Sequence, residues 1–323
     1  MSKLVFENCD YELAAGQSVL DRLLTAGHEL PHSCKAGACQ TCMMQAEGPV
    51  PAKAQAGLKD TEKAQGFFLP CICHPAETLQ AKRLANGQQR HRGIVLEKNL
   101  LNHEVLRLRL SLPEDFSFRA GQYLTLWKSD TLGRSYSLAS LPGDGHLELH
   151  IRRVADGRVS AWAHDALVAG DSVEFSPAIG SCFYAGESRE QPLLLVGTST
   201  GLAPLIGIAR DAIAQGHTGP LHLLHGTLHA DGLYYRQELT ALANSYPQLR
   251  YQAFALEGGD DSLDRRPIES AALALSNSFA GWRSYLCGAP ALVNGLRKKL
   301  FLAGASLAQI HADAFLTAPA KSP

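Results

Sequence analysis

The chain has no long uninterrupted apolar run. Its most apolar stretch, residues 192–209, is broken by Gly197, Thr198, Ser199, Thr200, Gly201 and Pro204, so a buried strand, loop and helix explain it better than a membrane span. Charge of one sign is also missing. With 30 Lys and Arg against 31 Asp and Glu the formal net charge is −1, and neither nucleic acid nor an acidic membrane surface is an expected partner. Residues 1–10 show no basic segment followed by an apolar stretch, so export is not expected and the cytoplasm is the expected location. No internal repeat or low-complexity segment stands out, and a monomer is the expectation.

Cysteine, by contrast, is present eight times in 323 residues. In a cytoplasmic chain these are expected as thiols or metal ligands. Cys34, Cys39 and Cys42 form a C-x4-C-x2-C run that suits a plant-type 2Fe-2S cluster, and Ala36, Gly37 and Ala38 leave room for thiolates and backbone N–H groups around it. Disulfides do not fit a chain without a secretory leader, and zinc sites favour paired C-x2-C units. A fourth sulfur is available at Cys71, behind the apolar stretch that begins at Phe67. Cys73 lies two residues on, and an extended segment turns both thiols to one face, so the spacing leaves the two open. Cys9, Cys182 and Cys287 stand alone and read first as small buried hydrophobes.

A chain of this length with 46% hydrophobic residues can bury two or three cores. Residues 1–87 hold the cluster cysteines and a helix candidate at 18–26, with Leu20, Leu23 and Leu24 on one side. A polar segment at 84–92 reads as a linker. Residues 88–187 carry short alternating strands at 105–110, 123–127 and 147–151, separated by glycine and proline turns, with one helix expected at 160–169. That is the pattern of an antiparallel barrel. Residues 188–323 alternate strand and helix, including a strand at 221–225 and a helix at 236–245, which indicates a parallel doubly wound domain.

Two loops carry further chemistry. Arg134-Ser135-Tyr136-Ser137 places a cation, an aromatic ring and a hydroxyl together, the groups a flavin needs for its phosphate, its ring and its edge. After Ile151 and Arg152, the run Asp156-Gly157-Arg158-Val159-Ser160 opens a helix whose free N–H groups favour a phosphate. The plain alternative there is a helix capped by Ser160. The second loop, Gly197-Thr198-Ser199-Thr200-Gly201-Leu202-Ala203-Pro204, joins a buried strand to a helix. It is not a G-x-G-x-x-G, and alone it is only a turn with two glycines.

Taken in order, C-x4-C-x2-C with the distant Cys71, Gly121-Gln122-Tyr123, Arg134-x-Tyr136-Ser137, Gly157 to Ser160, Gly197 to Pro204 and Cys287-Gly288-Ala289-Pro290 resemble the ferredoxin-NADP reductase superfamily. The likeness covers nearly the whole chain, and it is to the oxygenase-reductase type with an N-terminal plant-type ferredoxin. It implies a β-grasp ferredoxin domain, a Greek-key flavin barrel and an α/β parallel-sheet nucleotide domain. It implies four cluster ligands, Cys34, Cys39, Cys42 and Cys71. Arg134 would bind flavin phosphate, Tyr136 would stack on the ring, Ser137 would act near flavin N5, and Ile151, Arg152, Gly157, Val159 and Ser160 would surround the phosphates. Gly197, Thr198, Thr200, Gly201 and Pro204 would shape the NAD(P)H loop, with Gly226 at the next strand end. Cys287 and Gly288 would border the nicotinamide, and Phe315 would shield the flavin. Ser137 and Cys287 are the implied catalytic residues.

The chain departs from the family in three places. Ser199 stands where many members have glycine, Pro177-Ala178-Ile179-Gly180 matches the usual Gly-Pro-x-Gly only loosely, and residues 227–231 lack an arginine for a 2′-phosphate. The last favours NADH, with Arg236 as the cation to watch. The expected function is therefore transfer of electrons from NADH through FAD, with FMN as the alternative, and a 2Fe-2S cluster to an acceptor protein such as an oxygenase component. A stand-alone flavin or quinone reductase and a redox-sensing module are the rival classes.

Overall fold

A computed structural model describes residues 2–315 apart from 33, 38, 39, 59, 85–89, 187 and 261. Cys39 and most of the expected linker, with the boundary placed near residue 88, therefore lie outside the described residues.

The first unit contains β1 (Ser2–Phe6), β2 (Cys9–Leu13), α1 (Val19–Thr25), β3 (Met44–Glu47), α2 (Asp60–Ala64), β4 (Phe67–Phe68) and β5 (Leu79–Lys82). Its sheet runs β2-β1-β5-β3-β4, with β1 and β5 parallel and the other pairs antiparallel, which is the β-grasp arrangement. Ser18 caps α1 by accepting the Asp21 N–H at 3.1 Å, and Val19, Leu20 and Leu23 are buried. They pack with Phe6, Phe68 and Leu79 into a core that draws only on residues 4–81. The cluster loop joins α1 to β3. Left-handed backbone at Lys35, Gly37 and Gln40 winds it tightly.

The second unit contains β6 (His91–Leu100), β7 (Val105–Ser111), β8 (Tyr123–Trp127), β9 (Gly133–Ser137), β10 (His146–Arg152), α3 (Arg158–Asp165) and β11 (Ser172–Phe175). Its strands are ordered β10-β7-β6-β11-β8-β9, and a bridge from Leu138 to Leu149 brings the two edges together as a barrel. The expected helix at 160–169 starts two residues earlier and ends at Asp165, with Gly157 and not Ser160 at its N-cap. The Ser160 hydroxyl instead accepts the Val154 N–H at 3.2 Å and donates to the Gly157 carbonyl at 3.1 Å, tying the preceding loop to the first helical turn.

The third unit contains β12 (Leu193–Thr198), α4 (Leu202–Ala214), β13 (Leu221–His229), α5 (Arg236–Ser245), β14 (Leu249–Glu257), α6 (Ile268–Leu273), β15 (Arg283–Gly288), α7 (Pro290–Leu302) and β16 (Ile310–Ala314). The sheet is parallel throughout in the order β14-β13-β12-β15-β16, and β13 extends to His229, beyond the expected end at 225. Chain order reverses between β12 and β15, so their carboxyl ends open the crevice where ligands bind in such sheets. Among the described residues no helix is long and apolar enough to cross a membrane.

Barrel and parallel sheet share a core, since Val105 and Tyr184 pack with Leu195, Leu205 and Tyr285. A buried polar chain runs across the same joint. The phenol of Tyr234, which burial holds protonated, donates to His150 Nδ1 at 3.1 Å, and His150 Nε2 donates to Glu148 at 3.0 Å. Arg109 closes on the other Glu148 oxygen at 2.8 Å, and Tyr235 donates to Glu148 at 3.3 Å. Arg210 adds a two-pronged bond to Asp144 at 2.8 and 2.9 Å. Burial pushes Glu148 up, but His150 and Arg109 outweigh it and hold the carboxylate at about 2.

Removing that charge leaves Arg109 paired only with Glu97, at 2.8 Å, and takes the carboxylate away from His150. Glu148→Gln is expected to cost about 3 kcal/mol in denaturant unfolding. In the parent the Glu148 contribution is fully present above its ordinary value of about 4.3 and is lost as pH falls from there toward 2; the variant is expected to lack that loss.

Candidate functional site

A cavity of about 1410 Å³ opens where the cluster loop, the barrel strands and the carboxyl ends of the parallel sheet meet. From the barrel, Arg134, Tyr136 and Ser137 reach it because β9 ends there, and Arg152, Gly157, Val159 and Ser160 reach it from the end of β10 and the start of α3. From the sheet, Thr198, Thr200, Gly226, Gly288 and Phe315 line it, and Cys34 lines it from the cluster loop.

Five of the expected residues lie behind this surface. Ile151 is fully buried in the barrel core, and Gly197, Gly201, Pro204 and Cys287 sit under the lining. The glycines make that packing possible. A Cβ on Gly201 would come within 2.3 Å of the Cys287 carbonyl oxygen, and one on Gly288 within 2.5 Å of Thr198 Oγ1. Thr198 Oγ1 accepts the Ala289 N–H at 3.0 Å, so the two loops are locked together as well as closely packed.

The lining suits a flavin and a dinucleotide. The cations Arg134, Arg152 and Arg158 surround the N-terminus of α3, an eight-residue helix, where free N–H groups meet anions. Ser199, which lines the cavity, takes a left-handed φ of 51° at the position where many family members have glycine, and its hydroxyl is buried without a protein partner. An orphaned hydroxyl in this loop fits a site for a polar ligand group.

The sulfur donor set suits iron. Cys42 hydrogen-bonds Cys71 and is the main reason the Cys71 thiol is lowered, with burial opposing and the Gly37 backbone helping. Cys34 accepts the Ala36 N–H at 3.3 Å. Cys73 is fully buried in the ferredoxin core, and burial, then the Cys71 charge, push its thiol up to about 12.

Asp313 is a residue the sequence reading missed. It stands on β16 beside Cys287, lines the cavity and shares a hydrogen bond with Ser137. Burial pushes its carboxyl up to about 6 against the pull of Ser137. The available signal was strand alternation, which puts Asp313 on the same side as Phe315. Protonated, Asp313 donates to Ser137 Oγ and leaves the serine proton free to point into the cavity. Ionised, it accepts a hydrogen bond from that hydroxyl and turns the serine proton away from the cavity. Cys182 Sγ lies 3.6 Å from Cys287 Sγ, and burial together with this contact raises the Cys287 thiol well above its usual range.

Two outcomes follow from this geometry. Cys71→Ser is expected to lose iron and sulfide while Cys73→Ser keeps both, as metal and sulfide analysis would read. NADH-driven flavin reduction, followed by stopped flow, is expected to slow as pH rises through about 6, and Asp313→Asn is expected to flatten that profile.

Residues 7–76 match the family described as the 2Fe-2S iron-sulfur cluster binding domain, residues 92–184 the oxidoreductase FAD-binding domain, and residues 195–298 the oxidoreductase NAD-binding domain. The chain is 33% identical to the ferredoxin–NAD(P)(+) reductase component of a Pseudomonas putida naphthalene 1,2-dioxygenase system, over 94% of each chain. It is 32% identical to the reductase subunit of an Amycolatopsis aromatic O-demethylase, over 94% of this chain and 95% of that one. The crystal structure of an Amycolatopsis cytochrome P450 reductase superposes with a TM-score of 0.71 at 30% identity, covering 99% of this chain and 100% of that chain.

Proposed function

Because the chain belongs to the ferredoxin-NADP reductase superfamily, to the oxygenase-reductase type with an N-terminal plant-type 2Fe-2S domain, we propose that it draws electrons from NADH and delivers them singly to an oxygenase component. It is an NAD(P)H-dependent oxidoreductase with sites for FAD and a 2Fe-2S cluster. When bound, the nicotinamide supplies a hydride, the flavin converts its electron pair into single electrons, and the cluster carries them one at a time.

The observation that carries the reading is the single cavity bordered at once by Cys34, by Arg134 and Ser137, and by Thr200 and Phe315. Arg134 and Arg158 neutralise phosphate, Tyr136 and Phe315 offer apolar faces to a ring, and Ser137 with Asp313 presents or withholds one proton. Ser137 remains our catalytic assignment, Cys287, fully buried under the lining, becomes a residue that supports the site from behind, and Cys34, Cys39, Cys42 and Cys71 remain our cluster ligands. We divide the chain into ferredoxin, flavin and nucleotide domains at 1–87, 88–187 and 188–323.

NADH is favoured over NADPH by the charges at the nucleotide end. The cation there, Arg266, is already bonded to both Asp264 oxygens at 2.6 to 3.1 Å, and His229 faces Glu257 at 3.2 Å. Arg236 turns toward Ser262 Oγ at 3.0 Å. Each of the three cations already holds a partner, a carboxylate for Arg266 and His229 and a hydroxyl for Arg236, so a 2′-phosphate would have to compete for it.

Anaerobic titration with NADH is expected to bleach both flavin and cluster bands; bleaching of neither would overturn the reading. In the same experiment NADPH is expected to be the poorer donor. Asp264→Asn, which releases Arg266, is expected to improve NADPH relative to NADH about tenfold, the size of one charge-assisted hydrogen bond of ~1.5 kcal/mol.

A further inference from the structure

The two joints of this molecule are built from different materials. Barrel and parallel sheet share a hydrophobic core, whereas the ferredoxin core draws only on residues 4–81 and the barrel core only on residues 95–175. What joins the cluster loop to the barrel is polar. His32 forms a backbone bridge with Leu132, and Thr41 Oγ1 meets Thr125 Oγ1 at 3.2 Å, with both threonines 2% exposed. Thr125 Oγ1 also meets Ser135 Oγ at 3.3 Å.

The position of these three hydroxyls is informative. Thr41 directly precedes the cluster ligand Cys42, Thr125 sits mid-strand on β8, and Ser135 lies between Arg134 and Tyr136 on the flavin strand. A ladder of side-chain hydroxyls therefore runs from the cluster loop to the flavin site, across a joint where the described residues form no shared apolar core. Thr125 keeps Ser135 as a second partner within the barrel, so the bond between Thr41 and Thr125 is a contact made only while the loop is seated.

We propose that Thr41 and Thr125 are positioning residues, a pin that seats the ferredoxin unit reversibly on the flavin barrel in the pose for internal electron transfer. The inference rests on the reductase reading above. The step it serves moves one electron from flavin to cluster, one centre losing and the other gaining it, with no bond made or broken. Unseating frees the same loop for an acceptor protein, while barrel and parallel sheet stay one body.

The test follows both half-reactions of the holoenzyme by anaerobic stopped flow, with hydrogen exchange of the peptides covering residues 31–43 and 123–127 as a readout independent of turnover. Thr125→Val keeps the shape of the side chain and leaves the cluster loop's own sequence intact, so it carries the decision. It is expected to slow cluster reduction about fivefold to tenfold, the population shift from losing the hydroxyl's bonds to Thr41 and Ser135, to leave flavin reduction by NADH unchanged, and to raise exchange in both peptides. Thr41→Val is expected to do the same with no added effect in the double variant, and Thr41→Ser to restore the parent rate. Unchanged cluster reduction with unchanged exchange in Thr125→Val would overturn the pin. So would a slowed flavin phase, which would mark general damage to the barrel. Failure of NADH to reduce the flavin in the parent would instead refute the reductase reading.

Discussion

Everything at the site depends on how the barrel is fixed to the parallel sheet. The cavity has no wall of its own. One side is the ends of β9 and β10 and the other is the carboxyl ends of β12, β13 and β15, so a small rotation between the two units would pull Ser137 away from Asp313. Apolar packing resists separation but is poor at fixing an angle, because it is non-directional. The buried run from Tyr234 through His150 to Glu148 and Arg109 supplies direction, since each member has a defined donor and acceptor and an unmade bond in that interior is expensive. It lies directly behind the cavity, which His150 itself lines.

Inside the nucleotide domain the same precision comes from the absence of side chains. The β12 loop and the end of β15 cross so closely that Gly201 and Gly288 leave no space for a Cβ. Cys287 is pressed under that crossing and touches Cys182, which arrives from the barrel side, so this buried thiol is held by both units. Ser199 breaks the glycine pattern, and the backbone bends to a left-handed φ all the same. The loop shape is thus imposed by its neighbours and does not depend on local preference, at some conformational strain for a residue with a side chain.

The domain order, the antiparallel barrel and the parallel sheet could be read from the chain, because each rests on local periodicity, whereas the β-grasp sheet came only from the family likeness and part of the cavity lining from short motifs at strand ends. The cysteine run and the Arg134 to Ser137 segment are of that kind. Helix and strand ends were read less well. The helix after Arg152 begins at Arg158 because Gly157, not Ser160, takes the cap, and β13 runs on to His229 because pairing with β14 continues past the apolar stretch. What sequence could not show was pairing at a distance. Asp313 with Ser137, His150 with Tyr234 and Thr41 with Thr125 are each unremarkable polar residues in their own strands or loops. Their meaning comes only from the partner that the fold brings against them.

The contrast between the two joints matches the demands of the two electron steps. Hydride transfer moves a nucleus, and it needs donor and acceptor atoms in near contact with aligned orbitals. A joint with a shared core and a directed buried network meets that demand. Passing a single electron places no atom, so the ferredoxin unit can be held by a bridge at His32 and a pair of threonine hydroxyls without loss of function. A rigid seat there would be a disadvantage, because Cys34 faces the flavin cavity and an acceptor protein needs access to the same loop. A stiff joint for the step that moves atoms and a light one for the step that does not is therefore what the chemistry requires of this order of domains.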